Sequence, residues 1–145
     1  MPVITDTTSD DTPSVISAIA DASTNEDAAY SYNASSNFGV DGNTLTYSAT
    51  LSNGSALPSW LSINSTSGVL SGTPENADVG AINVTVTATD TNSASISDTY
   101  TLTVNNTNDT PTLSSAISDA STNEDAAYSY DASQNFSDVD VGDTL

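Results

Sequence analysis

The stretch Phe136-Ser-Asp138-Val-Asp140-Val-Gly-Asp143-Thr-Leu145 sets three carboxylates at close spacing around a glycine. Upstream, Asn106-Thr-Asn108-Asp109 lines up three more oxygen-bearing side chains, and Glu26 sits in an Asn-Glu-Asp triplet that returns at Glu124. Oxygen donors of this kind suit a hard divalent cation. Ca²⁺ takes about six to eight ligands from carboxylates, amide carbonyls and backbone carbonyls, whereas Mg²⁺ demands stricter geometry and keeps more water. The chain has 19 acidic residues and no Lys, Arg or His. Every carboxylate must therefore face water, accept backbone N–H bonds, or bind a cation from outside. Asp and Asn are also common turn formers. Plain alternatives thus stand beside the metal reading: a solvated acidic turn at Asp138 to Asp143, a solvated strand edge at Glu26, and a turn cap at Asp90.

The missing residue types exclude much else. Without Cys or His, ordinary structural zinc sites, haem ligation, thiol nucleophiles and Ser-His-Asp triads are ruled out. Without Lys there is no Schiff base. Only acid/base work by paired carboxylates stays formally open. A formal charge of −19 excludes nucleic acid and anionic membrane surfaces as electrostatic partners, since phosphate neutralisation needs Lys or Arg. No apolar run is long enough for a membrane span. The N-terminus, MPVITDTTSDD, has neither the basic nor the apolar region of a signal peptide.

The elements that must position these carboxylates come in repeats. Asp21-Ala-Ser-Thr-Asn-Glu-Asp-Ala-Ala-Tyr-Ser-Tyr32 returns unchanged at Asp119 to Tyr130, 98 residues later (119 − 21). Asp11-Thr-Pro13 matches Asp109-Thr-Pro111, Phe38 matches Phe136, and Thr44-Leu45 matches Thr144-Leu145 after a small length change. Three segments follow: 1–11, a linker from a preceding repeat; 12–107, a complete repeat; and 108–145, the N-terminal third of the next. The chain is expected to be a piece of something longer. High net charge opposes compaction, but a period of two favours a fold. Ile82, Val84, Val86 and Ala88 alternate with polar residues, and Ile96, Tyr100, Leu102 and Val104 share one parity broken only by Asp98. Tyr30 and Tyr32 share a face, as do Leu45, Tyr47 and Ala49. These are half-buried strands. Turn clusters separate them at Ser52-Asn-Gly54, Ser67-Gly68, Gly72-Thr-Pro74 and Asp90 to Ser93. About seven short strands predict an all-β sandwich, with Trp60, the only Trp, as a core anchor between the sheets. The two near-identical copies compete for the same sheet positions, and the first copy is expected to win through its shorter connections.

Leu57-Pro-Ser-Trp60 through Gly68-Val-Leu-Ser-Gly72-Thr-Pro74 resembles the signature of dystroglycan-type cadherin-like repeats, which are close to the "putative Ig" repeats of large bacterial surface proteins. Asn83 to Asp90 resembles the penultimate strand of that family, Asn106 to Pro111 its inter-repeat linker, and Phe136 to Leu145 its D-x-D loop. The resemblance covers nearly the whole chain. It implies a Greek-key, Ig/cadherin-like sandwich with Ca²⁺ at repeat junctions. Residue by residue, Glu26 matches the Glu at the C-terminal end of a repeat, Asn106, Asn108 and Asp109 the linker, and Asp138 and Asp140 the first loop of the next repeat. An upstream junction draws on Asp10 or Asp11, then Asp41 and Asp90. Asp78 and Glu75 lie near where cadherins carry a D-R-E motif that is absent here, so Asp78 is the weaker candidate. The first copy has one loop Asp fewer than the second, and Asn43 stands where the second copy has Asp143, so its site should bind more weakly.

The expected function is a non-enzymatic structural module: a calcium-binding link in a tandem array of a bacterial cell-surface or secreted adhesin-like protein. Its expected partners are neighbouring repeats. The alternative is a carbohydrate- or protein-binding β-sandwich, with homotypic adhesion as a variant. A carboxylate-pair glycosidase is the remote rival.

Overall fold

The longest alternating stretch becomes the longest strand pair. In the computed structural model, which describes residues 12–40 and 42–140, β8 (Gly80–Thr89) and β9 (Ser95–Asn105) run antiparallel from Gly80 opposite Val104 to Thr89 opposite Ser95. Val84, Val86, Ala88, Tyr100, Leu102 and Val104 are buried. The opposite parity carries hydroxyl pairs, Thr85–Thr99 and Thr87–Ser97, each at 2.8 Å. The period of two thus divides the strands into a core face and a polar face.

This hairpin is the centre of a four-stranded sheet within the unit Met1–Asn105. β5 (Thr46–Leu51) pairs antiparallel with β8, and β2 (Ala22–Asn25) pairs parallel with β9, giving the order β2-β9-β8-β5. A three-stranded sheet, β3-β7-β6, is built from β3 (Tyr30–Asn33), β7 (Val69–Gly72) and β6 (Leu61–Ile63). A short ribbon of β1 (Ser14–Val15) and β4 (Phe38–Gly39) adds to them. Tyr30, Phe38, Leu61, Leu70, Val86 and Leu102 from both sheets and the ribbon form one apolar cluster with Ile19, which lies between β1 and β2. The fold is an all-β, Ig/cadherin-like sandwich. Four strands and three strands make the seven that the turn spacing predicts.

Three sequence expectations change in detail. Gly72 is the last residue of β7 rather than part of a turn. Trp60 packs against the cluster but is only partly buried. It precedes β6 and sits at the rim, lining a groove of about 240 Å³ with Pro58, Asp78, Val79, Ile82 and Val104. Asp98, the break in the β9 parity, has a structural use: its Oδ2 accepts the Ile19 N–H at 2.6 Å. Nearby, Asp21 Oδ1 accepts the Thr101 N–H at 2.8 Å. These carboxylates tie the strand leading into β2 to the edge of β9. Asp98→Ala leaves a part-buried N–H without its acceptor, which costs about 1–3 kcal/mol. A thermal melt should fall by roughly 5–20 °C for a domain of this size.

The buried tyrosines set an alkaline limit. The Tyr30 and Tyr100 hydroxyls lie 3.2 Å apart inside the core. Burial, first of all, raises both pKa values, and that of Tyr100 strongly. The folded state therefore holds these protons more tightly than the unfolded chain. Their contribution is fully present below the unfolded value of about 10 and is lost as pH rises through the folded values. Stability measured by denaturant titration should be flat in this respect at neutral pH and decline above about pH 10.

The unit Asn106–Leu145 repeats the start of the first. β10 (Thr112–Leu113) pairs with β11 (Phe136–Ser137), next to a 3₁₀ turn at Ala132–Asn135. Tyr130 Oη donates to Asn135 Oδ1 at 2.6 Å, and Asn135 Nδ2 donates to the Ser115 and Ala116 carbonyls. Tyr32, Asn37, Ser17 and Ala18 make the same latch in the first unit. The first copy holds the sheet positions at Ala22–Asn25 and Tyr30–Asn33, whereas residues 120–130 form no strand.

Candidate metal centre

Within the second unit, the loop carboxylates fold onto one another through backbone amides. Asp109 N–H donates to Asp140 Oδ2 at 2.7 Å, and Asp140 N–H donates to Asp138 Oδ1 at 2.9 Å. Asn108 Nδ2 donates to the Asp109 carbonyl at 2.7 Å. Carboxylate oxygens of Asp109 and Asp140 lie within 4.8 Å of each other. Asp109 Oδ2 and Asp140 Oδ1 are buried and, among the described residues, accept no hydrogen bond. Asp138 is partly buried, while Asn106 and Asn108 are exposed. The sequence candidates Asp109, Asp138 and Asp140 are therefore brought together, with Asn108 beside them.

Two like charges this close disfavour each other, and burial disfavours both. Backbone N–H groups satisfy one oxygen of Asp140 and one of Asp138, leaving the remaining oxygens for a ligand. The donor set is all oxygen and mostly carboxylate, which fits Ca²⁺ and suits neither zinc nor a soft metal.

In the first unit, the Asn-Glu-Asp triplet is a turn. The Ala28 N–H donates to the Asn25 carbonyl at 3.4 Å, and Asp27 has a left-handed φ of 57°, which Asp tolerates better than most residues. Glu26 N–H donates to the Asn105 carbonyl, continuing the β2–β9 pairing, and Asp27 N–H donates to the Pro74 carbonyl. Glu26 is 2 % exposed. A solvated strand edge therefore does not describe Glu26. Asp125 has the same conformation, φ 58°, yet Glu124 is exposed.

The other candidates have local uses. Asp90 is buried, and its Oδ1 accepts the Asn92 and Ala94 amides at 2.8 and 2.9 Å, capping the β8–β9 turn. Asp78 Oδ2 accepts the Glu75 N–H at 2.9 Å in a reciprocal cap around the 3₁₀ turn Asn76–Asp78. Asp131 caps the turn Ala132–Asn135, and hydrogen bonds from Ser133 lower its pKa. Asp10, Asp11 and Asp41 lie outside the described residues. Sequence reasoning missed the backbone-holding roles of Asp98 and Asp21. The parity break at Asp98 was the one available signal.

An Ig-like sandwich whose loops carry grouped carboxylates defines the class. The chain belongs to the Putative Ig domain family, whose family model matches residues 12–105. No curated protein matches it. Among solved structures it is similar to a single-residue variant of the endo-fucoidan hydrolase MfFcnA4 from glycoside hydrolase family 107. That likeness has 26 % identity and a TM-score of 0.54, and covers 68 % of this chain and 14 % of the hydrolase. It is also similar to the PKD domain from KIAA 1837 protein, at 16 % identity and TM-score 0.44, covering 62 % of this chain and 84 % of that one. Drosophila N-cadherin EC1-4 matches at 16 % identity and TM-score 0.44, over 60 % of this chain and 22 % of that one. The chain thus spans about a seventh of the hydrolase. Among the described residues, no helix is long and apolar enough to cross a membrane.

Proposed function

We propose that this chain is a calcium-binding structural repeat, of the dystroglycan-type cadherin-like kind, from a bacterial cell-surface or secreted adhesin-like protein. Its role is to extend and stiffen an array of neighbouring repeats, with no catalytic part. The observation that carries this reading is the Asp109–Asp140 pair: two buried carboxylate oxygens without hydrogen-bond donors among the described residues, in a chain without a single basic side chain. Asp109, Asp138 and Asp140 supply charged ligands, Asn106 and Asn108 supply amide or backbone oxygens, and Glu26 belongs to the same set by its place at the end of the repeat. Asp11, Asp41 and Asp90 are the set for the preceding junction, and Asp78 the outlying candidate. Calcium neutralises part of the −19 charge that otherwise opposes compaction.

Asp140→Asn is expected to weaken calcium binding, read by calorimetric titration, by about tenfold or more. Asp131→Asn, at a carboxylate already engaged by Ser133, is expected to leave it unchanged. Equal affinity in the native and Asp140→Asn proteins would remove this loop from the metal reading.

A second reading rests on the groove at Trp60. A partly exposed Trp beside Val79, Ile82 and the carboxylate of Asp78 offers a stacking face and an acceptor for a sugar hydroxyl, and the net charge favours a neutral saccharide. Loss of oligosaccharide-induced Trp fluorescence change in Asp78→Ala is its test.

A further inference from the structure

Asn135 ties segments of the second unit to one another from the inside. It is 6 % exposed, and both ends of its amide are engaged. Oδ1 accepts the Tyr130 hydroxyl at 2.6 Å. Nδ2 donates to the Ser115 and Ala116 carbonyls at 3.1 and 3.3 Å, and to Ser115 Oγ at 3.2 Å. Its backbone carbonyl accepts the N–H groups of Ser114 and Ser115. An amide can donate and accept at once, which an ionised carboxylate cannot. Elsewhere the two copies exchange these residue types, as at Asn33 and Asp131, but this position is Asn in both, at 37 and 135.

This latch lies in register with the loop carboxylates. The Ser114 N–H donates to the Asn135 carbonyl at 2.8 Å, and the next two pairs are Leu113 opposite Phe136 and Thr112 opposite Ser137. A hydroxyl–hydroxyl bond of 3.1 Å joins Thr112 to Ser137 as well. Carried on in the same register, Asp109 faces Asp140, each three residues beyond the last pair (112 − 109 and 140 − 137). The bond from Asp109 N–H to Asp140 Oδ2 at 2.7 Å joins these same two residues. Pro111 stands between, and without an N–H it cannot donate to the ladder. A ribbon of two residue pairs is too short to hold its register by backbone bonds alone. A slip of one residue would take Asp140 off Asp109 and turn its side chain to the other face.

We propose that Asn135 is the positioning residue of the cation site, an inference that rests on the calcium reading of Asp109, Asp138 and Asp140. With Tyr130 it locks the register of β10 against β11, and so sets the two buried carboxylates opposite each other before the ion arrives. Its hydrogen bonds go to Tyr130, Ser114, Ser115 and Ala116, so it acts on the ion through the ribbon. Two buried carboxylates repel. Without a lock the pair relaxes apart, and binding must bring it back. Outer groups that orient metal ligands typically control affinity by about 10- to 100-fold, and a lock acting through the backbone belongs at the low end. The first unit has the same latch: Asn37 binds Tyr32, Ser17 and Ala18 beside the ribbon of β1 and β4. Removing either amide deprives one copy of the same bonds, but it is Asn135 that adjoins the ribbon leading to Asp109 and Asp140.

Calorimetric titration of the full chain with Ca²⁺ reads the binding event that Asp140→Asn weakens. Asn135→Ala should weaken that event about tenfold, and Tyr130→Phe, which removes one hydroxyl, should weaken it less. Asn37→Ala should lower the melting midpoint and leave that event unchanged. Thr112→Cys with Ser137→Cys supplies a register lock of another kind. Directly opposed residues lie about 4.5–5.5 Å apart at Cα, inside the disulfide range, and the chain has no cysteine of its own. In the Asn135→Ala background the oxidised form should recover the native affinity, and the reduced form should not. Three results each overturn the positioning role and, where Asp140→Asn still loses binding, leave the calcium reading standing: native affinity in Asn135→Ala, equal losses in Asn37→Ala and Asn135→Ala, or a cross-linked form that binds no tighter than the reduced one. A native chain that takes up no calcium overturns both.

Discussion

Gly72→Ala is expected to destabilise the complete repeat more than any surface change, by about 3 kcal/mol or more, the upper end for overpacking. The glycine is needed for space. A Cβ there would collide with the backbone carbonyl of Trp60. Neither side can yield cheaply, because Gly72 is opposite Tyr30 in one ladder and Leu61 in the other. Moving β7 breaks pairing on both of its edges, and moving Trp60 uncovers the rim of the core. At about 4–8 °C per kcal/mol for a domain of this size, the melting midpoint should drop by roughly 12–24 °C. Gly54→Ala is the contrast. Gly54 has φ 85° and no atom within 4 Å of an added Cβ, so only backbone strain of about 1–2 kcal/mol applies. If the two variants melt together, the close approach at Trp60 is not what selects glycine at position 72.

That contrast shows where the sequence was informative. The two parities of β8 and β9 were legible because each strand has one buried face, and alternation records it residue by residue. Tyr30 and Tyr32 were legible for the same reason. The role of Gly72 was not, since a glycine before Thr-Pro carries a turn signal, and its steric reason lies on a different strand. The parallel pairing of Ala22–Asn25 with Leu102–Asn105 joins residues 80 positions apart (102 − 22), and nothing local encodes it. Asp98 was visible as an anomaly, but its partner, a backbone N–H at Ile19, has no sequence signature. The burial of Glu26 has no local signature, since Asn-Glu-Asp makes the same left-handed turn at Asp125 beside an exposed Glu124.

The candidate site was legible as chemistry before it was legible as geometry. Composition alone left the carboxylates three fates: water, backbone amides or an outside cation. The structure distributes them among these. Asp90, Asp98 and Asp78 take backbone amides, and Asp131 faces water while capping a turn. Asp109 and Asp140 each keep a buried oxygen that has no donor among the described residues. This last pair is what the calcium proposal rests on.

Calcium is therefore expected to stabilise the chain strongly. A ligand that binds only the folded state adds about 2.7 kcal/mol at one hundred times its dissociation constant. For extracellular modules that constant is about 10⁻⁴ to 10⁻³ M, so tens of millimolar calcium approach saturation. The corresponding rise in melting midpoint is roughly 10–20 °C. Magnesium at the same concentration should do less, since it resists dehydration and tolerates irregular oxygen cages poorly. The direct test is thermal unfolding of the full chain in calcium, in magnesium and in chelator at matched ionic strength. A calcium midpoint well above the other two is the predicted result. Superimposable melts in calcium and chelator would contradict the metal reading.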